Sequence, residues 1–172
     1  WTIEFWVRPE QDVPGDTTLV AHRHVDGQIN YEVGIANGLH PFVQFDRRDG
    51  GGTPVRFDTG YSLPLNEWTH VAAQFGNGQI RVLINGEVLG HENTSVDPIA
   101  VPELANGLQI GDVGFVGALD ELRLWNNQPE MVSVEPIRKN MNRHLIYGAV
   151  TGGALQVQGD GGMIEIPEPN DE

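Results

Sequence analysis

The sequence contains no cysteine, so disulfide bonds and thiolate chemistry are both excluded. It also lacks any run of about 18 apolar residues, which excludes a membrane-spanning helix. Basic residues are scarce, with 10 Lys and Arg against 24 Asp and Glu, and the formal net charge is −14. Because such a chain repels a phosphate backbone, we expect no nucleic acid among its partners.

Short apolar runs separated by turn residues fill most of the chain. Its 22 Gly and 11 Pro residues punctuate these runs at a spacing typical of an all-β sandwich. The pairs Asn77-Gly78 and Asn85-Gly86 separate β-prone runs and predict a three-stranded meander. Apolar residues at four-residue spacing predict one short helix near Ser133–Leu145. The length fits one domain, and a start at Trp1 leads us to expect a processed or excised chain.

Three segments carry a family resemblance: "TIEFWVRP", "EWTHVAAQFGNGQIRVLINGEVLG" and "LQIGDVGFVGALDELRLWN". In this order they resemble the successive signatures of the laminin-G-like, concanavalin A-like jelly-roll domains. The resemblance implies an all-β fold of two antiparallel sheets packed face to face, often in secreted or cell-surface proteins. It also implies either binding of glycans, calcium or other proteins, or a structural role, and the fold does not choose among them. We therefore expect an extracellular or cell-surface location.

The opening strand pair of such domains is missing ahead of Trp1, and the C-terminal stretch "LQVQGDGGMIEIPEPNDE" looks like it. We predict a β-sandwich body over residues 1–146, then a hinge and a C-terminal strand pair over residues 147–172. The apolar residues of this pair that a vacant slot would accept are Leu155, Val157, Ile164 and Ile166. The pair can complete its own sandwich, complete that of the next copy, or mark the cut end of a tandem array.

A strand pair given to the next copy makes a head-to-tail contact that does not close, and such contacts build filaments. We therefore expect a non-catalytic structural or adhesive protein that assembles with other copies of itself into a surface filament. The alternative is a glycan- or calcium-dependent binding module of a larger secreted protein. For that role Trp6, Trp125, Phe42, Phe45 and "DRRDGGG" can form a platform and rim, or the same rings can pack the second sheet.

Calcium is the cofactor that the resemblance implies. Family members often place it near the position of Asp120, with help from an Asp-rich opening turn, of which Asp160 is the remaining carboxylate. If "ALDELRLW" is a regular strand, Asp120 shares an aliphatic face with Leu122, where a carboxylate must be paired, hydrogen-bonded or bound to a cation. Asp120 and Asp160 are therefore the candidate calcium ligands. The alternative is a strand-end Asp120 bonded to backbone amides.

Histidines and paired carboxylates are the remaining candidates for chemistry. We interpret His22 and His24 as an edge-strand pair that faces water rather than as a zinc site, and His70 as a core residue. The carboxylate pattern of glycosidases is missing from the sequence. Asp120 and Glu121 are adjacent, so in a regular strand they point to opposite faces and cannot flank one bond. With no Gly-x-Ser-x-Gly or zinc motif either, we expect no enzymatic activity.

Overall fold

The structure is a computed structural model, and it describes residues 1–24, 26–99, 106–125, 134, 137, 138 and 155–157. In chain order its strands are β1 (Thr2–Pro9), β2 (Thr17–Arg23), β3 (Ile29–Ala36), β4 (His40–Phe45), β5 (Val55–Asp58), β6 (Thr69–Gly76), β7 (Gln79–Ile84), β8 (Glu87–Asn93), β9 (Asn106–Ile110), β10 (Gly117–Trp125) and β11 (Leu155–Val157). Within the described ranges, no helix is long and apolar enough to cross a bilayer.

The strands form two antiparallel sheets, which confirms the predicted all-β sandwich. Sheet A has the order β10-β1-β6-β7-β8, and sheet B has the order β11-β9-β2-β3-β4-β5. Their facing sides make one apolar core, to which β1 contributes Ile3, Phe5 and Val7, all fully buried. Burying each of these side chains stabilises the fold by about 1.5–3 kcal/mol. Because side chains alternate along a strand, the residues between them point to the outer face of sheet A.

The meander of β6, β7 and β8 turns at the two predicted Asn-Gly pairs. Asn77 and Gly78 have φ of 50° and 67°, and Asn85 and Gly86 have φ of 50° and 77°. A two-residue hairpin turn with positive φ at both central residues matches the right-handed twist of its strands. Asn and Gly adopt that conformation at low cost, so the sequence signal and the turn agree.

A β-bulge interrupts β10, where the sequence predicts a regular strand. Glu4 and Trp6 of β1 are two residues apart, yet they pair with Arg123 and Asp120, which are three apart. The extra residue is accommodated at Glu121, whose φ is 52°. Beyond such a bulge the alternation of side chains between the two faces reverses.

The predicted faces of β10 are therefore wrong. Leu119 and Leu122 both pack on the core, although their positions differ by three, which places two residues on opposite faces of a regular strand. Asp120 pairs with Trp6, so it lies on the outer face of sheet A and not on the face of Leu122. The prediction that Asp120 shares an aliphatic face with Leu122 is therefore wrong. Local sequence could not show this, because the bulge depends on the register with β1.

A helical segment packs on the outer face of sheet A. Val134, Ile137 and Arg138 are helical and fall within the predicted helix near Ser133–Leu145. Ile137 is fully buried against Ala72 of β6 and Leu83 of β7. These two residues pair directly and lie on the side of their strands that faces away from the core. This part of the chain therefore covers sheet A from outside.

The C-terminal strand pair is described at three residues only. Residues 155–157 form β11, which pairs antiparallel with β9 of the same chain, Leu155 opposite Ile110 and Val157 opposite Leu108. At these residues the pairing is the within-chain arrangement. Ile164 and Ile166 lie outside the described residues. The division at residues 146 and 147 and the donation of strands to another copy stay predictions.

Candidate functional site

The central parts of the two outer faces of the sandwich differ in which charged groups reach solvent. On sheet A, Glu4 and His70 are fully buried beside the surface that Ile137 covers. On sheet B, the side chains of Arg23 and Arg56 are 30% and 26% exposed. The outer face of sheet B is therefore a surface where charged groups are both held in place and accessible.

One rung of paired residues crosses sheet B. From β9 to β5 it consists of Gln109, Ala21, Glu32, Gln44 and Arg56, each paired with the next. Directly paired residues of antiparallel strands point to the same face. At a strand spacing of about 4.8 Å, the rung places an amide, a methyl, a carboxylate, an amide and a guanidinium along about 19 Å. It is a row of hydrogen-bonding groups on one surface.

Glu32 is the centre of a buried hydrogen-bond network on this face. The residue is only 3% exposed. Its Oε1 accepts a hydrogen bond from Thr18 Oγ1 at 2.5 Å and lies 2.7 Å from Arg23 Nη2, and its Oε2 accepts from Gln44 Nε2 at 2.7 Å. Arg23 Nη2 also donates to Thr18 Oγ1 at 3.2 Å. A buried carboxylate is costly unless its oxygens are bonded, so the four side chains hold one another in a single geometry.

Arg56 lies flat across the neighbouring part of the face. Its guanidinium carbon is 3.9 Å from the centre of the Phe42 ring on β4. It donates to Asp58 on its own strand, at 2.7 Å from Nη2 and 3.0 Å from Nε, and to Asp16, which precedes β2. These hydrogen bonds, to Asp16 first and Asp58 second, raise the pKa of Arg56 above its already high ordinary value. The group is therefore charged, planar and fixed.

Gly34 on β3 makes room for this arrangement. A Cβ at Gly34 would lie 2.5 Å from Cζ of Phe42 and 2.6 Å from the carbonyl oxygen of Thr17. Both distances are well inside normal contact, and one of the two neighbours is backbone. A larger residue at position 34 would therefore displace the Phe42 ring and the Arg56 guanidinium that rests on it.

One of the two predicted calcium ligands is described. Asp120 Oδ1 accepts a hydrogen bond from the backbone N–H of Glu121 at 2.8 Å, at the bulge. Asp160 lies outside the described residues. Across the ranges that the structure describes, no group of three or more His, Asp or Glu residues is placed to hold a metal ion. The calcium site stays a prediction.

The aromatic residues considered from the sequence fall into two groups, two buried phenylalanines and two partly buried tryptophans. Phe42 and Phe45 are fully buried, so neither is an exposed rim. Trp6 and Trp125 lie on the outer face of sheet A, where Trp125 Nε1 donates to Glu4 Oε1 at 2.9 Å. For Phe42 and Phe45, packing matches their positions; for Trp6 and Trp125, which are partly buried, both interpretations stay open.

The histidines have structural contacts. The interpretation of His22 and His24 as an edge-strand pair is wrong, because β9 pairs with β2 on the side away from β3 and makes it an interior strand. The His22 ring lies 5.6 Å from the Tyr31 ring, and His24 Nδ1 is 2.7 Å from Asp26. His70 is fully buried, as interpreted. Its Nε2 lies 3.2 Å from Glu4 Oε2.

The residues on the outer face of sheet B were missed in the sequence. A signal exists in the alternation of "NYEVGIA", "HPFVQF" and "VRFD", which places Glu32, Gln44 and Arg56 on the side of their strands away from the core. Alternation alone does not say which polar residues stand opposite one another. That depends on the register of β3, β4 and β5.

Comparison with known proteins identifies the family. The profile of the concanavalin A-like lectin/glucanases superfamily matches residues 1–131. The chain belongs to this superfamily. The resemblance seen in the sequence is thereby confirmed, although the superfamily name covers both binding proteins and enzymes. No curated protein matches the chain significantly.

Solved structures share the superfamily fold. A candidate carbohydrate binding protein from Bacteroides ovatus is 21% identical with a TM-score of 0.61; the match covers 93% of this chain and 45% of that one. The CBM40 of a Ruminococcus gnavus sialidase, solved with α2,3-sialyllactose, is 14% identical with a TM-score of 0.65 and 80% coverage of each chain.

A third similar structure is domain 4 of an extracellular arabinanase from Geobacillus stearothermophilus, in complex with arabinotriose. It is 20% identical with a TM-score of 0.52, and the match covers 80% of this chain and 64% of that one. The chain thus spans less than two thirds of two of these three structures. At such identities the likeness shows the fold alone.

Proposed function

We propose that the protein is a glycan-binding module of a larger extracellular protein, and that the outer face of sheet B binds the glycan. The observation that carries this proposal is the network around Glu32. A carboxylate held at 3% exposure by Thr18, Arg23 and Gln44 costs desolvation free energy, and an apolar row would form the sheet without that cost. Fixed polar groups on a surface are what recognition of a polyhydroxylated ligand requires.

The chemistry of the rung supports a sugar ligand. Glycan hydroxyl groups both donate and accept hydrogen bonds, and the rung offers two amides, a carboxylate and a guanidinium in one row. Gln44 stands beside Glu32 along it, and Gln109 stands on the other side, beyond Ala21. Because Arg23, Gln44 and Arg56 are held by other side chains, little side-chain entropy is lost when a ligand binds.

The similar structures support the same class of ligand. The names of the sialidase and arabinanase domains place each within a larger enzyme, and both were solved with an oligosaccharide. We infer a corresponding role here, in which the chain holds a longer protein on a glycan. The arabinanase is named as extracellular, which supports the same location for this chain.

We propose that the module binds glycans without catalysing their hydrolysis. Three carboxylates on or beside the outer face of sheet B are bonded to arginines: Glu32 to Arg23, and Asp16 and Asp58 to Arg56. Glycoside hydrolysis needs one carboxyl group to donate a proton and another to act as base or nucleophile. The oxygens of these three carboxylates are instead engaged by guanidinium N–H groups.

Retention on immobilised polysaccharides tests the proposal. We expect the full chain to be retained on at least one polysaccharide, and Gln44→Ala to weaken that binding by about tenfold, as removal of a fixed hydrogen-bonding partner worth about 1.4 kcal/mol would do. Arg48→Ala is the control, because Arg48 is exposed and contacts Asp97 in the loops. Equal retention of both variants would remove sheet B as the binding face.

Assembly into a filament is the second proposal, and it is compatible with the first. The observation that bears on it is β11, which occupies the edge of sheet B beside β9. If this strand pair can pair with either its own or the next copy, native material will contain polymers. Native-state sedimentation of the full chain tests this, and a single monomeric species at every concentration would contradict it.

A further inference from the structure

We infer that the binding face on sheet B takes neutral glycans and excludes acidic ones. This inference rests on the proposed function and adds the class of sugar. Two arginines stand on the face, and an arginine usually indicates an anionic ligand such as a carboxylate. Here both arginines are already paired with carboxylates of the protein, and the net charge of the face repels anions.

Arg56 is neutralised by two carboxylates rather than one. Asp58 binds its Nε and Nη2, and Asp16 binds its Nη1 and Nη2. All three of its nitrogens therefore donate to carboxylate oxygens. A bidentate contact with a ligand carboxylate needs two adjacent N–H groups that are free. To bind an acidic sugar, Arg56 would have to give up one of its aspartates.

Arg23 is neutralised by Glu32. Its Nη2 lies 2.7 Å from Glu32 Oε1, and Glu32 is buried. Drawing Arg23 toward a ligand would leave the Glu32 charge without its counter-ion in a buried site, which is costly. Two guanidinium groups thus stand among three carboxylates, those of Asp16, Glu32 and Asp58, so the described charges of the face are net negative.

Two of these carboxylates are presented to solvent. The side chains of Asp16 and Asp58 are 53% and 55% exposed while they bind Arg56. An exposed carboxylate oxygen accepts hydrogen bonds from sugar hydroxyl groups and repels a sugar carboxylate or sulfate. The same two groups therefore attract a neutral glycan and disfavour an acidic one.

The net charge of the whole chain has the same sign as the net charge of this face. The formal net charge is −14, and residues 147–172 contain five acidic residues and no basic one. His40 stands on the same side of β4 as Phe42 and Gln44. Measurements at about pH 8 keep histidine side chains neutral.

The test compares a neutral glycan with its own acidic form. The probe is a neutral oligosaccharide that the full chain retains, offered beside the same oligosaccharide oxidised to a carboxylate at C6, at low salt and about pH 8. We expect the acidic form to bind at least about tenfold more weakly. We expect the difference to shrink when the salt concentration is raised to about 1 M, because the Debye length then falls to about 3 Å.

A charge variant gives the decisive readout. Asp16→Asn combined with Asp58→Asn removes both counter-ions of Arg56 and two negative charges from the face, so we expect this variant to bind the acidic form at least as tightly as the neutral form. Asp49→Asn combined with Asp97→Asn is the matched control. It changes the net charge equally at carboxylates that contact Arg47 and Arg48, at the end of β5 opposite to Asp58, and the preference should stay that of the parent.

The outcomes separate the inference from the proposed function. Preference of the parent for the neutral form, lost in the Asp16 and Asp58 variant and kept in the control, supports the inference. Equal or tighter binding of the acidic form by the parent protein overturns the inference and leaves glycan binding in place. Retention of neither form, across neutral and acidic glycans, overturns the proposed function and the inference with it. The comparison of the two forms by the parent decides the question even if the double variant does not fold.

Discussion

The two outer faces of the sandwich carry similar residues and use them differently. Sheet A places Glu4, His70 and Gln74 on its outer face at 0% exposure, and sheet B places Glu32, Gln44 and Arg56 on its own. On sheet A these three side chains are enclosed, whereas Arg8 near the end of β1 is 37% exposed. On sheet B, Glu32 is buried, and Gln44 and Arg56 are partly exposed. Residue type alone therefore does not identify the site. The two faces are distinguished by whether other parts of the chain cover their polar residues.

The difference between the two outer faces leads to one general expectation. Substitutions on the outer face of sheet A should lower the free energy of unfolding and leave ligand affinity of the folded protein unchanged. Substitutions on the outer face of sheet B should lower affinity, with smaller effects on stability.

Glu4→Ala should be the most destabilising of these changes. It removes the acceptor of the Trp125 indole N–H and the group that lies 3.2 Å from His70 Nε2, all in a buried setting. Breaking a buried pair by removing one partner costs about 3–5 kcal/mol. Urea unfolding measures this loss, and glycan retention of the folded protein should stay at its original level. Loss of affinity without loss of stability would contradict the distinction between the faces.

Ile137→Ala should rank second. Ile137 is fully buried, but its cluster on the outer face of sheet A is small, with Ala72 and Leu83 as its buried members. We expect a loss of about 2–3 kcal/mol, the lower end for a buried Ile→Ala change, because a small cluster near the surface can relax. Thermal and urea unfolding should agree on this value. A change below about 0.5 kcal/mol would show that the helical segment does not cover sheet A in solution.

Gly34→Ala should affect both stability and binding. The new Cβ would meet the Phe42 ring and the Thr17 carbonyl at 2.5 and 2.6 Å, so we expect a loss of about 1–3 kcal/mol and weaker glycan retention as Arg56 shifts. Gly52→Ala is the matched control, since a Cβ there meets nothing within 4 Å. If the two glycine variants behaved alike, the close packing of Phe42 beside Gly34 would be refuted.

Chelation should have the smallest effect. The predicted calcium ligands are Asp120, on the outer face of sheet A, and Asp160. If they hold calcium, exhaustive chelation should lower the melting temperature by about 2–4 °C for each kcal/mol of binding free energy lost. Differential scanning calorimetry with and without chelator measures the shift. An unchanged transition would remove the metal site and leave Asp120 with its backbone hydrogen bond from Glu121.

Local sequence was sufficient for the fold class and for the tight turns. Alternating runs and Asn-Gly pairs depend on residues close in the chain, and the positive φ angles at Asn77 and Asn85 agree with them. The faces of β10 could not be predicted, because the bulge at Glu121 arises from pairing with β1, more than a hundred residues earlier. The interior position of β2 depends in the same way on β9.

The candidate site could be predicted only in part. The alternation of β3, β4 and β5 places Glu32, Gln44 and Arg56 away from the core, but their alignment in one rung is a property of register. The contact between Arg56 and Asp16 joins residues 40 apart across two intervening strands. Nothing in the composition distinguishes this arginine, which two aspartates neutralise, from one that is free to bind an anion.

The most direct test of the account is a solution NMR titration of the full chain with a glycan that it retains. We predict that the largest amide shift changes cluster on β2 to β5, around Arg23, Glu32, Gln44 and Arg56, and that amides of β6 and β7 stay nearly unchanged. Shift changes centred on the outer face of sheet A, or on the loops at one end of the sandwich, would contradict the assignment of the binding face to sheet B.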